Sequence, residues 1–103
     1  MQNLSIKECI DLIKSKDDLL ILDVRSRYEY EGETSIEHSR NISLGKLPLH
    51  IDWLDGYEET PILVYCKEGT RSATACDILE DNGFNKIYNM LGGYTEWQSE
   101  LSH

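Results

Sequence analysis

A chain of 103 residues holds one hydrophobic core and no second, so a single domain over residues 1–103 is expected. Its hydrophobic fraction of 40% excludes a disordered chain, and no apolar run approaches the roughly 18–20 residues of a membrane span. With 19 acidic against 10 basic residues the formal net charge is −9, which argues against nucleic acid and anionic membrane surfaces as partners.

Ser5-Ile6-Lys7-Glu8 reads as a capping box. Ile6, Cys9, Ile10 and Ile13 then share one helical face, which predicts an amphipathic helix from Ser5 to about Ser15. Leu19 to Val24 is an apolar run that meets a carboxylate at Asp23, as in a strand buried on both faces. Ser26-Arg27-Tyr28-Glu29 is a second capping box and opens a short helix to about Glu31. Gly32 to Ser39 is polar and irregular, and Asn41-Ile42 is expected as a very short strand. Leu44 to Trp53 carries Leu47, Leu49, Ile51 and Trp53 among polar residues, with Pro48 early, and predicts a helix with a ragged start. Pro61 to Tyr65 is the second strong strand. Arg71 to Asn82 predicts a helix with Ala75, Ile78 and Leu79 buried, stopped by Asn82-Gly83. Lys86 to Met90 reads as a strand. Gly92-Gly93 turns the chain into a last helix, Tyr94 to about Leu101, with Trp97 and Leu101 facing inward.

Strands alternating with helices imply a parallel sheet covered on both faces, an α/β architecture in which ligands sit beyond the carboxyl ends of the strands. Two polar sites mark that edge: Asp23 with Arg25 after the first strong strand, and Cys66 to Arg71 after the second. Cys9, Cys66 and Cys76 are too few and too scattered for a disulfide framework, and no C-x-x-C occurs. His38, His50 and His103 have no metal-ligand spacing, so no metal is expected. The N-terminus lacks the basic start and long apolar segment of a signal peptide, and a cytoplasmic protein is expected.

Val64-Tyr65-Cys66-Lys67-Glu68-Gly69-Thr70-Arg71-Ser72 is the most informative stretch. A cysteine at the end of a buried strand, facing a turn that opens a helix, sits where backbone N–H groups converge. A free thiol has a pKa near 8.5, and such a cradle, with Lys67 and Arg71 beside it, favours the reactive thiolate. Gly69 permits a turn that a Cβ would obstruct. The bland alternative makes Cys66 a buried strand-end residue before an ordinary loop, which leaves the polar run and its arginine unexplained. Cys9 lies on the apolar stripe of its helix and Cys76 within the helix that follows the loop, and both read as packing.

Cys66-Lys67-Glu68-Gly69-Thr70-Arg71-Ser72 resembles the active-site loop of the rhodanese, or sulfurtransferase, family. Leu22-Asp23-Val24-Arg25 with Glu29-Tyr30, then Gly83-Phe84, then Leu91-Gly92-Gly93-Tyr94 with Trp97, resemble further family motifs in the same order. The resemblance implies a three-layer fold: a five-stranded, mostly parallel sheet flanked by helices on both faces. It implies that Cys66 takes a sulfane sulfur from a small anionic donor such as thiosulfate, and passes it to a thiol or cyanide acceptor without a cofactor. Backbone amides of Lys67, Glu68, Gly69, Thr70 and Arg71 would hold the terminal sulfur. Asp23 and Arg25 are expected as a structural pair or loop anchor, and Arg71 either contacts the donor or pins the loop to an acidic side chain. A monomer is expected.

Related phosphatases place five residues between cysteine and arginine, whereas here four separate Cys66 from Arg71. The smaller ring suits one sulfur better than a phosphate group. A non-catalytic interaction module is the other alternative. Where the family usually has Gly-His-Ile-Pro-Gly-Ala, this chain has Thr34-Ser35-Ile36-Glu37-His38-Ser39, a departure near the expected rim of the site that leaves the acceptor open.

Overall fold

The computed structural model describes residues 1–102 and arranges them around one five-stranded sheet, every strand pair of which is parallel. In chain order the elements are β1 (Gln2–Leu4), α1 (Ile6–Ser15), β2 (Leu20–Asp23), α2 (Arg27–Gly32) and β3 (Arg40–Asn41). Two 3₁₀ turns follow, Leu47–Leu49 and Ile51–Leu54, and then β4 (Ile62–Tyr65), α3 (Thr70–Asp81), β5 (Ile87–Met90) and α4 (Gly93–Leu101). The strand order is β1-β5-β4-β2-β3, which puts β4 at the centre. Asp23 stands in register with Tyr65 on one side and Asn41 on the other.

Every residue of β2 and of β4 is buried, as their unbroken apolar runs require when both sheet faces are covered. Leu22, Val24, Ile62, Val64 and Cys66 face a core shared with Leu47, Leu54, Ala75, Cys76 and Leu79. Ile21, Leu63 and Tyr65 face the opposite core with Ile6 and Cys9 of α1 and Tyr94 of α4. Both expected capping boxes form, with Ser5 accepting from the Glu8 N–H and Ser26 from the Glu29 N–H.

Four expectations needed correction. The first strand, β1, has no counterpart in the residue-by-residue reading. Gln2-Asn3-Leu4 carries no β-branched or alternating pattern, and it is held as an edge strand by backbone pairing to Tyr88–Met90. The helix expected over Leu44–Trp53 is instead two 3₁₀ turns. Pro48 offers no N–H, and the break at His50 lets both Leu47 and Leu54 bury completely. Leu101 is 55% exposed rather than inward, because its turn overhangs an open groove walled by Ile13, Ile36 and Trp97. Ile78 is only partly buried, at the margin of the core that holds Ala75 and Leu79. Among the described residues no helix is long and apolar enough to cross a membrane.

Candidate active site

Cys66 directly follows β4, the central strand, and its side chain is buried at 1% exposure. The chain then has to reverse within a few residues to start α3. Gly69 makes that turn at φ 101°, in the left-handed region that a side chain disfavours. The turn brings the Gly69 N–H to 3.0 Å from the Cys66 Sγ. The thiol in turn donates to the Ser72 Oγ at 3.5 Å, and that hydroxyl donates to the Gly69 carbonyl at 3.0 Å. Residues 66–72 therefore close a ring on the sulfur, at the positive end of a 12-residue helix.

The outer side of this ring is held by α4. Tyr94 N–H donates to the Cys66 carbonyl at 2.8 Å, and Thr95 N–H to the Lys67 carbonyl at 3.0 Å. In a trans peptide the N–H points opposite to its carbonyl, so the Lys67 and Glu68 N–H groups are turned away from α4. Gly92 and Gly93, at φ 77° and 62°, deliver α4 to this contact. A Cβ on Gly93 would lie 2.7 Å from the Cys66 carbonyl oxygen and collide with that of Lys67 as well. The sequence flagged Gly92-Gly93 as a turn; the close approach to the Cys66 loop is a contact between distant residues that spacing did not reveal.

Lys67, Glu68 and Thr70 are exposed, and of the loop's backbone N–H groups it is that of Gly69 that bonds the sulfur. Arg71 turns out of the ring and clasps Glu29 with two hydrogen bonds, at 2.7 and 3.0 Å. That clasp, with lesser help from Ser26, holds the Glu29 carboxyl well below its ordinary range, at about 2, and raises Arg71. Of the two roles expected for Arg71, the geometry is that of a pin. Glu29, noted earlier only as a cap and a motif residue, is its anchor.

Asp23 and Arg25 are both fully buried and form a close pair, with Arg25 Nη2 donating to Asp23 Oδ2 at 2.8 Å. The guanidinium also donates to the Thr34 carbonyl at 2.9 Å and lies 4.6 Å from the centre of the Tyr94 ring. The unusual segment Thr34–Ser39 is thereby tied to the site's frame. Tyr94 donates its hydroxyl to Thr34 Oγ1 at 2.8 Å, and the Ile36 N–H donates to the Tyr65 hydroxyl at 3.1 Å. His38 lies in the exposed part of that segment at φ 67° and does not reach the ring. Burial pushes the Cys9 and Cys76 thiols up to about 12, as suits inert packing residues.

The family model for the rhodanese-like domain matches residues 5–100. The thiosulfate sulfurtransferase GlpE of Coxiella burnetii is 34% identical over 98 residues, covering 95% of this chain and 88% of that protein. Among solved structures, a rhodanese-related protein of Thermoplasma volcanium aligns with a TM-score of 0.82 at 28% identity, covering 97% of this chain and 93% of the other. A Rhodopseudomonas palustris protein of unknown function, described as a possible tyrosine phosphatase, aligns at 0.84 and 27% identity, covering 97% and 81%.

Proposed function

The chain belongs to the rhodanese-like domain family, and from that premise we propose that it is a sulfurtransferase working through a persulfide on Cys66. The observation that carries the reading is the enclosed sulfur: Cys66 Sγ accepts the Gly69 N–H at 3.0 Å within a ring of four residues before Arg71. In the first step the Cys66 thiolate attacks the outer sulfur of a small anionic donor such as thiosulfate. A Cys66–S bond forms, the donor's S–S bond breaks, and sulfite leaves with the electron pair. In the second step an acceptor thiolate or cyanide attacks the outer sulfur of the persulfide and releases the Cys66 thiolate. The sulfane sulfur moves intact, so no external oxidant, reductant or cofactor is needed.

The protein's part is electrostatic and geometric. The Gly69 N–H and the start of α3 stabilise negative charge on Sγ and on the sulfur beyond it. Lys67, which is exposed, adds a positive charge at the mouth for the anionic donor.

The phosphatase reading is disfavoured by loop length: only four residues separate Cys66 from Arg71, a smaller ring than one that wraps a phosphate group. Mass spectrometry after thiosulfate treatment tests the proposal: one added sulfur on Cys66, absent in Cys66→Ser, is expected. No adduct at any thiosulfate concentration sinks it, and an unchanged biological phenotype in Cys66→Ser favours a non-catalytic interaction module.

A further inference from the structure

Ser72, in the first turn of α3, is fully buried, with its Oγ 3.0 Å from the Gly69 carbonyl oxygen and 3.5 Å from the Cys66 Sγ. A carbonyl oxygen only accepts, and a hydroxyl has one proton to give. In the resting protein that proton is on Gly69, so the thiol is the donor toward Ser72. Loss of the thiol proton upsets this arrangement. The sulfur anion then faces the lone pairs of the Ser72 oxygen, and its one remaining hydrogen bond among the described residues is that from the Gly69 N–H at 3.0 Å.

The Ser72 hydroxyl is placed to correct this by turning about a single bond. Its oxygen stays where it is, and its proton turns from the Gly69 carbonyl to Sγ. The carbonyl is not left bare, because it also accepts the Ala73 N–H, at 3.4 Å. A buried acceptor stripped of every donor is costly, and here that penalty does not arise. The anion meanwhile gains a second donor, in a charge-assisted hydrogen bond stronger than the neutral one it replaces. No other side chain hydrogen-bonds Sγ among the described residues.

We propose that Ser72 is a catalytic residue whose hydroxyl moves between two acceptors, the Gly69 carbonyl and the Cys66 anion, and thereby sets how readily Cys66 gives up its sulfur. This rests on the persulfide reading. In loading, the thiol proton goes to water, Sγ bonds to the donor's outer sulfur, and the donor's S–S bond breaks with its electron pair on sulfite. The charge then lies on the outer sulfur, about 2 Å further on. That sulfur enters from the mouth and sits on the side of Sγ away from the buried Ser72, so the hydroxyl returns to Gly69. In release, the acceptor bonds to the outer sulfur, the Sγ–S bond breaks, and its electron pair returns to Sγ. The Ser72 O–H turns to meet that charge and transfers no proton. A donor that stabilises charge on Sγ alone favours release over loading.

The test compares Ser72→Ala with the unaltered protein at a pH where iodoacetamide alkylation of Cys66 has reached its plateau in both, so that both start as thiolate. At one fixed ratio of thiosulfate to sulfite, mass spectrometry should find the ratio of loaded to free Cys66 about tenfold higher in the variant. In single turnovers, release of that sulfur to cyanide should be about tenfold slower, while loading is no slower. A ring disordered by the substitution gives the opposite pattern, with less sulfur held and both steps slowed. That pattern, or a loaded ratio equal to that of the unaltered protein, overturns the proposal.

Alkylation itself needs no sulfur donor. About two pH units below the half-plateau of the unaltered protein, Ser72→Ala should react about threefold more slowly, since a smaller thiolate fraction outweighs its greater nucleophilicity. Lys67, Glu68, Arg71 with its Glu29, Cys76 of α3 and Tyr94 of α4 are the same in both proteins, so the difference reports the hydroxyl. Equal rates there also overturn the proposal. Failure of the persulfide reading is a different result: no sulfur on Cys66 of the unaltered protein with any donor, while the difference in alkylation stands.

Discussion

Replacing Glu29 by Gln removes the charge that pins Arg71 while leaving a hydrogen-bonding group of similar shape. The carboxyl is held at about 2 against an ordinary 4.5, chiefly by Arg71. Taken at face value, that difference is worth about 3 kcal/mol at 1.36 kcal/mol per pKa unit. The Arg71 side chain is 37% exposed, so solvent screening reduces the figure to on the order of 1–2 kcal/mol. The sign follows from linkage: a carboxylate with a depressed native pKa contributes fully above its unfolded value and loses that contribution as pH falls toward the native one. Urea unfolding of the two proteins should therefore differ by this amount at pH 7. The gap should begin to close below about pH 4.5 and vanish near pH 2. A gap at pH 3 as large as that at pH 7 would refute the assignment of the stability to this ion pair.

Other outcomes follow from the same geometry. Gly93→Ala drives a Cβ into the carbonyls of Cys66 and Lys67 at a positive φ, and should cost about 2–4 kcal/mol by urea unfolding. Gly69→Ala meets no atom nearer than 3.5 Å and should cost only its backbone strain, about 1–2 kcal/mol; equal losses in the two variants would contradict the account of α4. Arg25→Ala leaves the Asp23 carboxylate buried without its partner, an expected loss of about 3–5 kcal/mol. Calorimetry should register that as a fall in Tm of more than about 12 °C, and a fall under about 5 °C would count against it. The double variant Cys9→Ala, Cys76→Ala should load sulfur on Cys66 as the unaltered protein does, and a lost adduct would show that one of the buried thiols takes part.

How much of this was legible beforehand varied with the physics. Strands β2 and β4 announced themselves because burial on both faces demands unbroken apolar runs, and Ser5 and Ser26 announced two helices because capping is local. β1 stayed hidden because an edge strand is held by backbone pairing that Gln2 and Asn3 do not advertise. The segment around Pro48 misled because its apolar spacing fits a helix while its missing donor and the turn at His50 forbid one. At the site, the Cys66 loop was readable because Gly69 and the following helix are local. The Arg71–Glu29 clasp joins residues 42 apart in sequence, and the seating of α4 on Cys66 is equally non-local. Such pairings depend on the order of strands, and β-strand order is not written in any one window of residues.

The seating of α4 also has a consequence in time. Cys66 and the glycine that bonds its sulfur are synthesised well before Gly93, Tyr94 and Thr95, whose N–H groups and close contact complete the loop. On a ribosome the thiol emerges while its ring is still open on the α4 side. A nascent chain arrested before Gly92 would carry every residue from Cys66 to Ser72 and still lack the two hydrogen bonds that fix their peptides. The geometry of the loop is thus not set by residues 66–72 alone and is acquired only once α4 is in place.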